Sequence, residues 1–191
     1  LKKIQSNDIE INFRDKKFFA PKTIPNLKKI LKQYPDAKIL SGGTDLSLEV
    51  TKFRKDIKKI ISLNSINNLN FIKKGKNLLE IGATTSLIDF QNLVKEYFTD
   101  FYDILKRYGS IQIRNLGTIA GNIATASPIG DTLPLLLSLE AKVVVQGMNQ
   151  KKIYSLDNFF LSYRKTKLKK GEFIYSVKIP LNKENIFKAY K

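Results

Sequence analysis

Gly117, Gly121 and Gly130 share one stretch, 110–134, SIQIRNLGTIAGNIATASPIGDTLP, with the short polar side chains of Thr118, Asn122, Thr125 and Ser127. Glycines let a chain turn sharply or approach a ligand closely. Exposed main-chain N–H groups in such turns form anion-binding concavities suited to phosphate, and hydroxyl and amide side chains add local hydrogen bonds. From Gly109 to Met148 only Arg114, Asp131, Glu140 and Lys142 are charged, two of each sign, so the formal net charge of +17 lies outside this window. A second glycine turn, Ser41-Gly42-Gly43-Thr44-Asp45, stands some 75 residues earlier. The strand-like Ala37–Leu40 enters it and the periodic Leu46, Leu48, Val50 leaves it, an arrangement that aims main-chain amides at a phosphate. Its spacing is neither GxGxxG nor that of a P-loop, so neither the Rossmann fold nor a P-loop follows. A tight turn and a Gly/Ala-rich packing segment explain the same residues equally well.

Composition narrows the remaining chemistry. The chain has 191 residues with no Cys and no His. That excludes Cys or His metal sites, cysteine nucleophiles and a Ser-His-Asp triad in this chain, and it gives no disulfide framework for secretion. No apolar run approaches the ~20 residues that span a bilayer, and the start, LKKIQSNDIEINF, has neither Met nor a signal-type apolar region. The expectation is a cytoplasmic segment of a longer polypeptide, without membrane partners. A hydrophobic fraction of 42% with 12 Phe and 8 Tyr supports a packed core. The surplus charge raises the possibility of nucleic acid, but only five of the 34 basic residues are Arg and the lysines run from Lys2 to Lys191. Base and phosphate forks favour Arg, so a solvated lysine surface is expected rather than a nucleic-acid or scaffold domain.

The elements that must hold the two turns are legible from periodicity. A strand is expected near Ile9–Phe13 and another at Phe18–Pro21. Thr23 caps a helix with Pro25 in its first turn and Ile24, Leu27, Ile30 and Leu31 at helical spacing. Strands follow at Ala37–Leu40 and Lys59–Leu63, and Leu69–Lys73 with Leu78–Gly82 flank a four-residue hairpin loop. Thr85 or Ser86 caps a helix carrying Leu87, Phe90 and Val94, and a second helix is expected over 101–108. Pro134 opens an apolar helix to Leu139. Ala141–Gln146 and Lys151–Ser155 read as a hairpin, Asp157–Leu161 as a helical turn, Lys165–Lys170 as a basic loop and Phe173–Ile179 as the last strand. Strands mixed with helices without regular alternation indicate α+β. Residues 1–17 are read as a linker or partial strand. The domain proper spans 18–191, with a small subdomain over about 18–65 and a larger one over about 66–191.

Five segments together resemble one family: AKILSGGTDL at 37–46, IGATTSLIDF at 81–90, QIRNLGTIAGNIATASPIGDTLPLLLSLEAKVVV at 112–145, FFLSYRKTKL at 159–168 and GEFIYSVKIP at 171–180. The chain is similar to the FAD-binding domain of molybdenum hydroxylases, most of all to the flavin segment of the xanthine dehydrogenases. The resemblance implies two α+β subdomains of the vanillyl-alcohol oxidase (PCMH) type with non-covalent FAD between them. It implies a first cofactor loop at Lys38, Ile39, Leu40, Ser41, Gly42, Gly43, Thr44 and Asp45. A second, facing loop falls on Gly117, Thr118, Ile119, Ala120 and Gly121, followed by Asn122 and Thr125. Asp131 matches an acidic residue that accepts a bond from a cofactor hydroxyl. Tyr108 stands where Phe is usual, and Ile174 and Lys191 match contacts near the flavin ring. Ala120 stands where many members carry a second Gly; were positive φ needed there, Ala would cost about 1 kcal/mol or more, whereas a merely small residue is satisfied.

The resemblance also implies the partners. Molybdopterin and 2Fe-2S clusters belong to other parts of the complex, a molybdenum-binding subunit and an iron–sulfur domain, because a Cys-free chain cannot ligate the clusters. Electrons would pass from those clusters through FAD to NAD+, in an oxidoreductase of purine catabolism. The flavin carries the redox chemistry and the protein binds and orients it, so no catalytic side chain is expected. The FAD subunit of another molybdenum hydroxylase, such as a carbon monoxide or aldehyde dehydrogenase, fits the same motifs.

Overall fold

The computed structural model describes residues 7–182 and 186–190. Two sheets carry the fold. In the first, β1 (Ile9–Phe13) pairs antiparallel with β2 (Lys16–Ala20), and both β2 and β3 (Lys38–Leu40) lie parallel to β4 (Lys59–Ser62), in the order β1-β2-β4-β3. Parallel neighbours need crossovers; α1 (Ile24–Gln33) and α2 (Leu46–Thr51) lie in them. The start of α1 is set locally: Thr23 Oγ1 accepts the Asn26 N–H at 3.3 Å, and Pro25 lies in the first turn. Leu27 and Leu31, four residues apart, then fall on one buried face.

The second sheet is antiparallel throughout. It uses β5 (Ile72–Lys74), β6 (Leu78–Gly82), β7 (Lys142–Gln146) and β8 (Lys151–Ser155), and, beyond the small separate hairpin of β9 (Phe160–Ser162) and β10 (Lys165–Thr166), the long β11 (Phe173–Pro180). Its order is β5-β6-β11-β7-β8, with β11 central. Between β6 and β7 come α3 (Leu87–Val94), α4 (Thr99–Lys106), α5 (Ile111–Leu116), α6 (Ile119–Thr125) and α7 (Thr132–Ser138), and the short α8 (Leu156–Phe159) follows β8. Ser86 Oγ caps α3 by accepting the Asp89 N–H at 3.1 Å. Phe90 of α3 meets Phe101 of α4 edge-to-face at 5.3 Å, both fully buried.

Two buried clusters result. One joins β6, β7 and β11 to the helices through Leu79, Ile81, Phe90, Phe101, Val143 and Val177. The other holds Phe19, Leu27, Leu31, Ile61 and Leu63, and draws in Ile66, Leu69 and Phe173 from farther along the chain.

The mixed α+β class agrees with the sequence reading, but several boundaries differ. β5 is shorter than 69–73 because Asn67–Leu69 form one 3-10 turn, which drives Leu69 fully into the first sheet's core. α4 begins at Thr99 and ends before Tyr108, where Gly109 adopts φ 57°. α8 starts a residue early, and Lys165–Thr166 of the expected basic loop are strand. The largest difference concerns Gly117–Gly121, expected as one turn. Gly117 ends α5 and Gly121 lies inside α6. The cause is Thr118, whose Oγ1 accepts the Gly121 N–H at 3.0 Å and winds the next residues into a helix. Ile119 and Ile123, four apart and both buried, are the periodic signal for it.

Candidate functional site

The two glycine loops meet directly. A Cβ on Gly42 would stand 2.1 Å from the Leu116 carbonyl oxygen and 2.8 Å from the Gly117 Cα, so backbone packs on backbone at this point. Only Gly fits there. Gly43 next to it adopts φ 71°, the left-handed region that L-residues rarely occupy. The contact is reinforced on both sides: the Leu87 N–H donates to Gly117 O at 2.8 Å, Ser86 bridges Thr118, and Asn64 Nδ2 donates to Ser41 O at 3.0 Å. These protein contacts hold the two loops against each other.

Beside this junction opens a cavity of about 520 Å³, within the range of about 300–1,000 Å³ common for small-molecule sites. Most of the sequence-derived residues line it: Ile39, Ser41, Gly42, Gly43, Thr44 and Asp45 from the first loop, Tyr108, then Gly117, Thr118, Ala120, Gly121, Asn122, Thr125 and Asp131, and Ile174 on β11. Three others are not among the lining residues. Lys38 turns its ammonium to Glu49 at 2.9 Å, Leu40 sits with Cδ1 beneath Gly43, and Ile119 is buried in the helical core. Lys191 lies outside the described residues.

Asn122 organises the polar wall. Its Nδ2 donates to Tyr108 Oη at 2.9 Å, its Oδ1 accepts from Thr132 Oγ1, and its carbonyl accepts from Thr125 Oγ1 at 3.0 Å. Thr132 is fully buried, so this link satisfies a hydroxyl that water cannot reach. Tyr108 therefore adds a hydrogen bond to the wall. Ala120 is helical and buried, and its φ is not positive; the position asks only for a small residue. The left-handed residue is Ala126, φ 43°, at the C-cap of α6, a position where Gly is usual. Asp131 precedes α7 with helical φ and ψ and makes no side-chain capping bond, so its carboxylate is not used to start that helix.

Charge in the cavity is sparse. Among the described residues its charged side chains are Asp45, Asp131 and Arg164. Arg164 falls inside the FFLSYRKTKL segment, but the sequence gives it no role in the site: it lies in the β9–β10 turn, and its Nη1 approaches Asp45 Oδ2 at 3.5 Å across 119 residues of chain. Leu63, Ala83, Leu87, Ile113, Leu168 and Phe173 are further apolar liners that only packing assembles.

The donor set suits a diphosphate. The first amides of α6 precede its first intrahelical bond and point from a positive helix end. Ser41 Oγ is buried without a partner in the first loop, a polar atom left for a ligand. The apolar liners suit the flat rings at the ends of a dinucleotide.

A mixed α+β fold with a cavity lined by two glycine loops has the features that a dinucleotide-binding domain needs. The family model described as the FAD binding domain in molybdopterin dehydrogenase matches residues 11–182, and the chain belongs to that family. It is 34% identical over 151 residues to the nicotinate dehydrogenase FAD-subunit of Eubacterium barkeri, covering 77% of this chain and 51% of that protein. It is 32% identical to the xanthine dehydrogenase of Blastobotrys adeninivorans, over the whole chain and 15% of that protein. Among solved structures, a carbon monoxide dehydrogenase from Hydrogenophaga pseudoflava superposes with a TM-score of 0.81 at 29% identity, over 91% of this chain and 61% of that one. The chain thus spans about half the length of the FAD-subunit it matches and a small part of the xanthine dehydrogenase. The family is one of oxidoreductases. No helix among the described residues is long and apolar enough to cross a membrane.

Proposed function

We propose that this chain holds FAD in the cavity between its glycine loops, as the flavin segment of a xanthine dehydrogenase-like molybdenum hydroxylase. The observation that carries the reading is the junction of Gly42 with Leu116–Gly117, which puts main-chain donors of both loops beside one cavity. The amides of Gly43 and Thr44 and those at the start of α6 bind the diphosphate, Asp131 accepts a hydroxyl bond, and Ile174 packs near the ring system. Bound FAD would supply the redox chemistry, between iron–sulfur clusters and NAD+. The chain's own work is to bind, orient and shield that group; it contributes no acid or base. The clusters and molybdopterin are held by partner chains or domains of a hetero-oligomer in the cytoplasm. The two clusters of buried residues support a small subdomain over about 18–65 and a larger one over about 66–191, with Ile66, Leu69 and Phe173 packing across that line.

A second reading rests on the likeness to a nicotinate dehydrogenase FAD-subunit and a carbon monoxide dehydrogenase: the chain serves a different molybdenum hydroxylase, with another electron acceptor. Reduction of the FAD-loaded protein by NADH in a rapid-mixing experiment supports NAD as the physiological partner; a flavin that NADH does not reduce favours the second reading.

The binding claim is tested with Asp131→Ala. A charged hydrogen bond contributes about 1.5–3 kcal/mol, so FAD affinity should fall roughly 10- to 150-fold. A lowered melting temperature with unchanged FAD affinity sinks the assignment.

A further inference from the structure

The β9–β10 hairpin stands apart from both main sheets as a two-stranded unit. At its tip Leu161 and Tyr163 are largely exposed, so the tip is not anchored in a core. Arg164, beside them in the tight turn between β9 and β10, is in the left-handed region at φ 51°, as Arg14 is at φ 53° in the turn between β1 and β2, a conformation that hairpin turns use. What it meets is Asp45, with Nη1 3.5 Å from Oδ2. Asp45 occupies the N-cap position of α2 without capping it, so its carboxylate is not committed to its own helix. Both residues line the cavity, and Leu168, just past β10, lines it too. The pair therefore links the hairpin to the first glycine loop at the cavity wall.

We infer that Asp45 and Arg164 form a latch that closes the β9–β10 hairpin over the cavity and slows the exit of the ligand inside. The identity of that ligand as FAD rests on the function proposed above; the latch itself is a property of the unliganded chain. Both partners are part-exposed, at 36% and 43%. Salt screens such a pair and its attraction is modest, which suits a closure that must open for cofactor entry rather than a permanent brace.

The test uses the full chain and four variants: Asp45→Asn, Arg164→Ala, the double variant, and Arg164→Lys. The first readout is amide hydrogen exchange of residues 160–168 without flavin. Exchange should quicken in each single variant, quicken no further in the double, and return part-way with Arg164→Lys. The second readout is FAD dissociation followed by flavin fluorescence. Each single variant should release FAD about two- to five-fold faster, the span expected of a part-exposed ion pair, with the double variant no faster. Added salt should speed release from the parent more than from Arg164→Ala. Unchanged exchange in both single variants overturns the latch. So does an Asp45→Asn variant that releases FAD more slowly than the parent while Arg164→Ala releases it faster, because Arg164 would then be an anion ligand that Asp45 restrains. A parent chain that retains no FAD, yet shows the exchange pattern, defeats the proposed cofactor and supports the latch.

Discussion

The two ends of the first sheet handle polar groups in opposite ways. At the end where β4 begins, Lys16, Asp56, Lys58 and Asp15 form a cluster of ion pairs, each side chain about half exposed or more. Hydrogen bonds from Lys16 and then Lys58 hold Asp56 down to about 2, and Asp15 with Asp56 push Lys58 up to about 12. At the other end, where β3 runs into Ser41–Asp45, charge is scarce and the contacts are main-chain. Water and salt weaken the first arrangement; the second is close-packed, and a misplaced atom has nowhere to go. The difference teaches that a charge of +17 says little about where this molecule does its work. Among the described residues, no lysine lines the cavity at the glycine-loop end.

Substitutions at the two ends should separate by size. Gly42→Val is expected to do most. Its side chain would enter the space of the Leu116 carbonyl, 2.1 Å from the Cβ position, and overpacking of this kind costs about 3 kcal/mol or more. Thermal unfolding should then fall by roughly 6–12 °C, at ~2–4 °C per kcal/mol for a chain of this size. A soluble Gly42→Val protein with the parent's melting temperature would show that the two loops do not bear on one another.

Asn122→Ala comes next. It strips Thr132 Oγ1, fully buried, of the Asn122 Oδ1 acceptor and removes the bond to Tyr108 Oη, and an orphaned buried group costs about 1–3 kcal/mol. Tyr108→Phe should cost less, about 1 kcal/mol, because it removes one bond and leaves the Thr132 link. Denaturant unfolding of the two variants measures the gap; equal losses would place the wall's stability in the phenol rather than the amide.

Lys16→Ala sharpens the comparison from the exposed end. Its effect on stability near neutral pH should stay within about 0.5 kcal/mol. The readable change is in titration: without Lys16 the Asp56 carboxyl should rise from about 2 toward the ordinary 3.8, with Lys58 still holding it below that value. The sign follows from linkage. A carboxyl held low in the folded state adds stability above its unfolded value, and that stability is lost as pH falls from about 3.8 toward 2. NMR titration of Asp56 in parent and variant checks this, and identical curves would mean that Lys16 does not hold it.

Much of the scaffold could be read without coordinates because its causes are local. Thr23 and Ser86 cap their helices through hydroxyls three residues from the amides they accept, and Leu27 with Leu31, or Leu79 with Ile81, repeat at the spacing of the face they bury. The family motifs also marked both glycine loops, and most residues so named surround one cavity. Tertiary structure alone decided the rest. That Gly42 is needed against Leu116 depends on two segments far apart in sequence meeting in space. That Arg164 is the cation lining the cavity among the described residues depends on a hairpin folding back across 119 residues. Local sequence determines which elements form, because caps and periodicity act over a few residues; which side chains face one another across a cavity is set by how two cores pack, and no short window of sequence contains both sides of that contact.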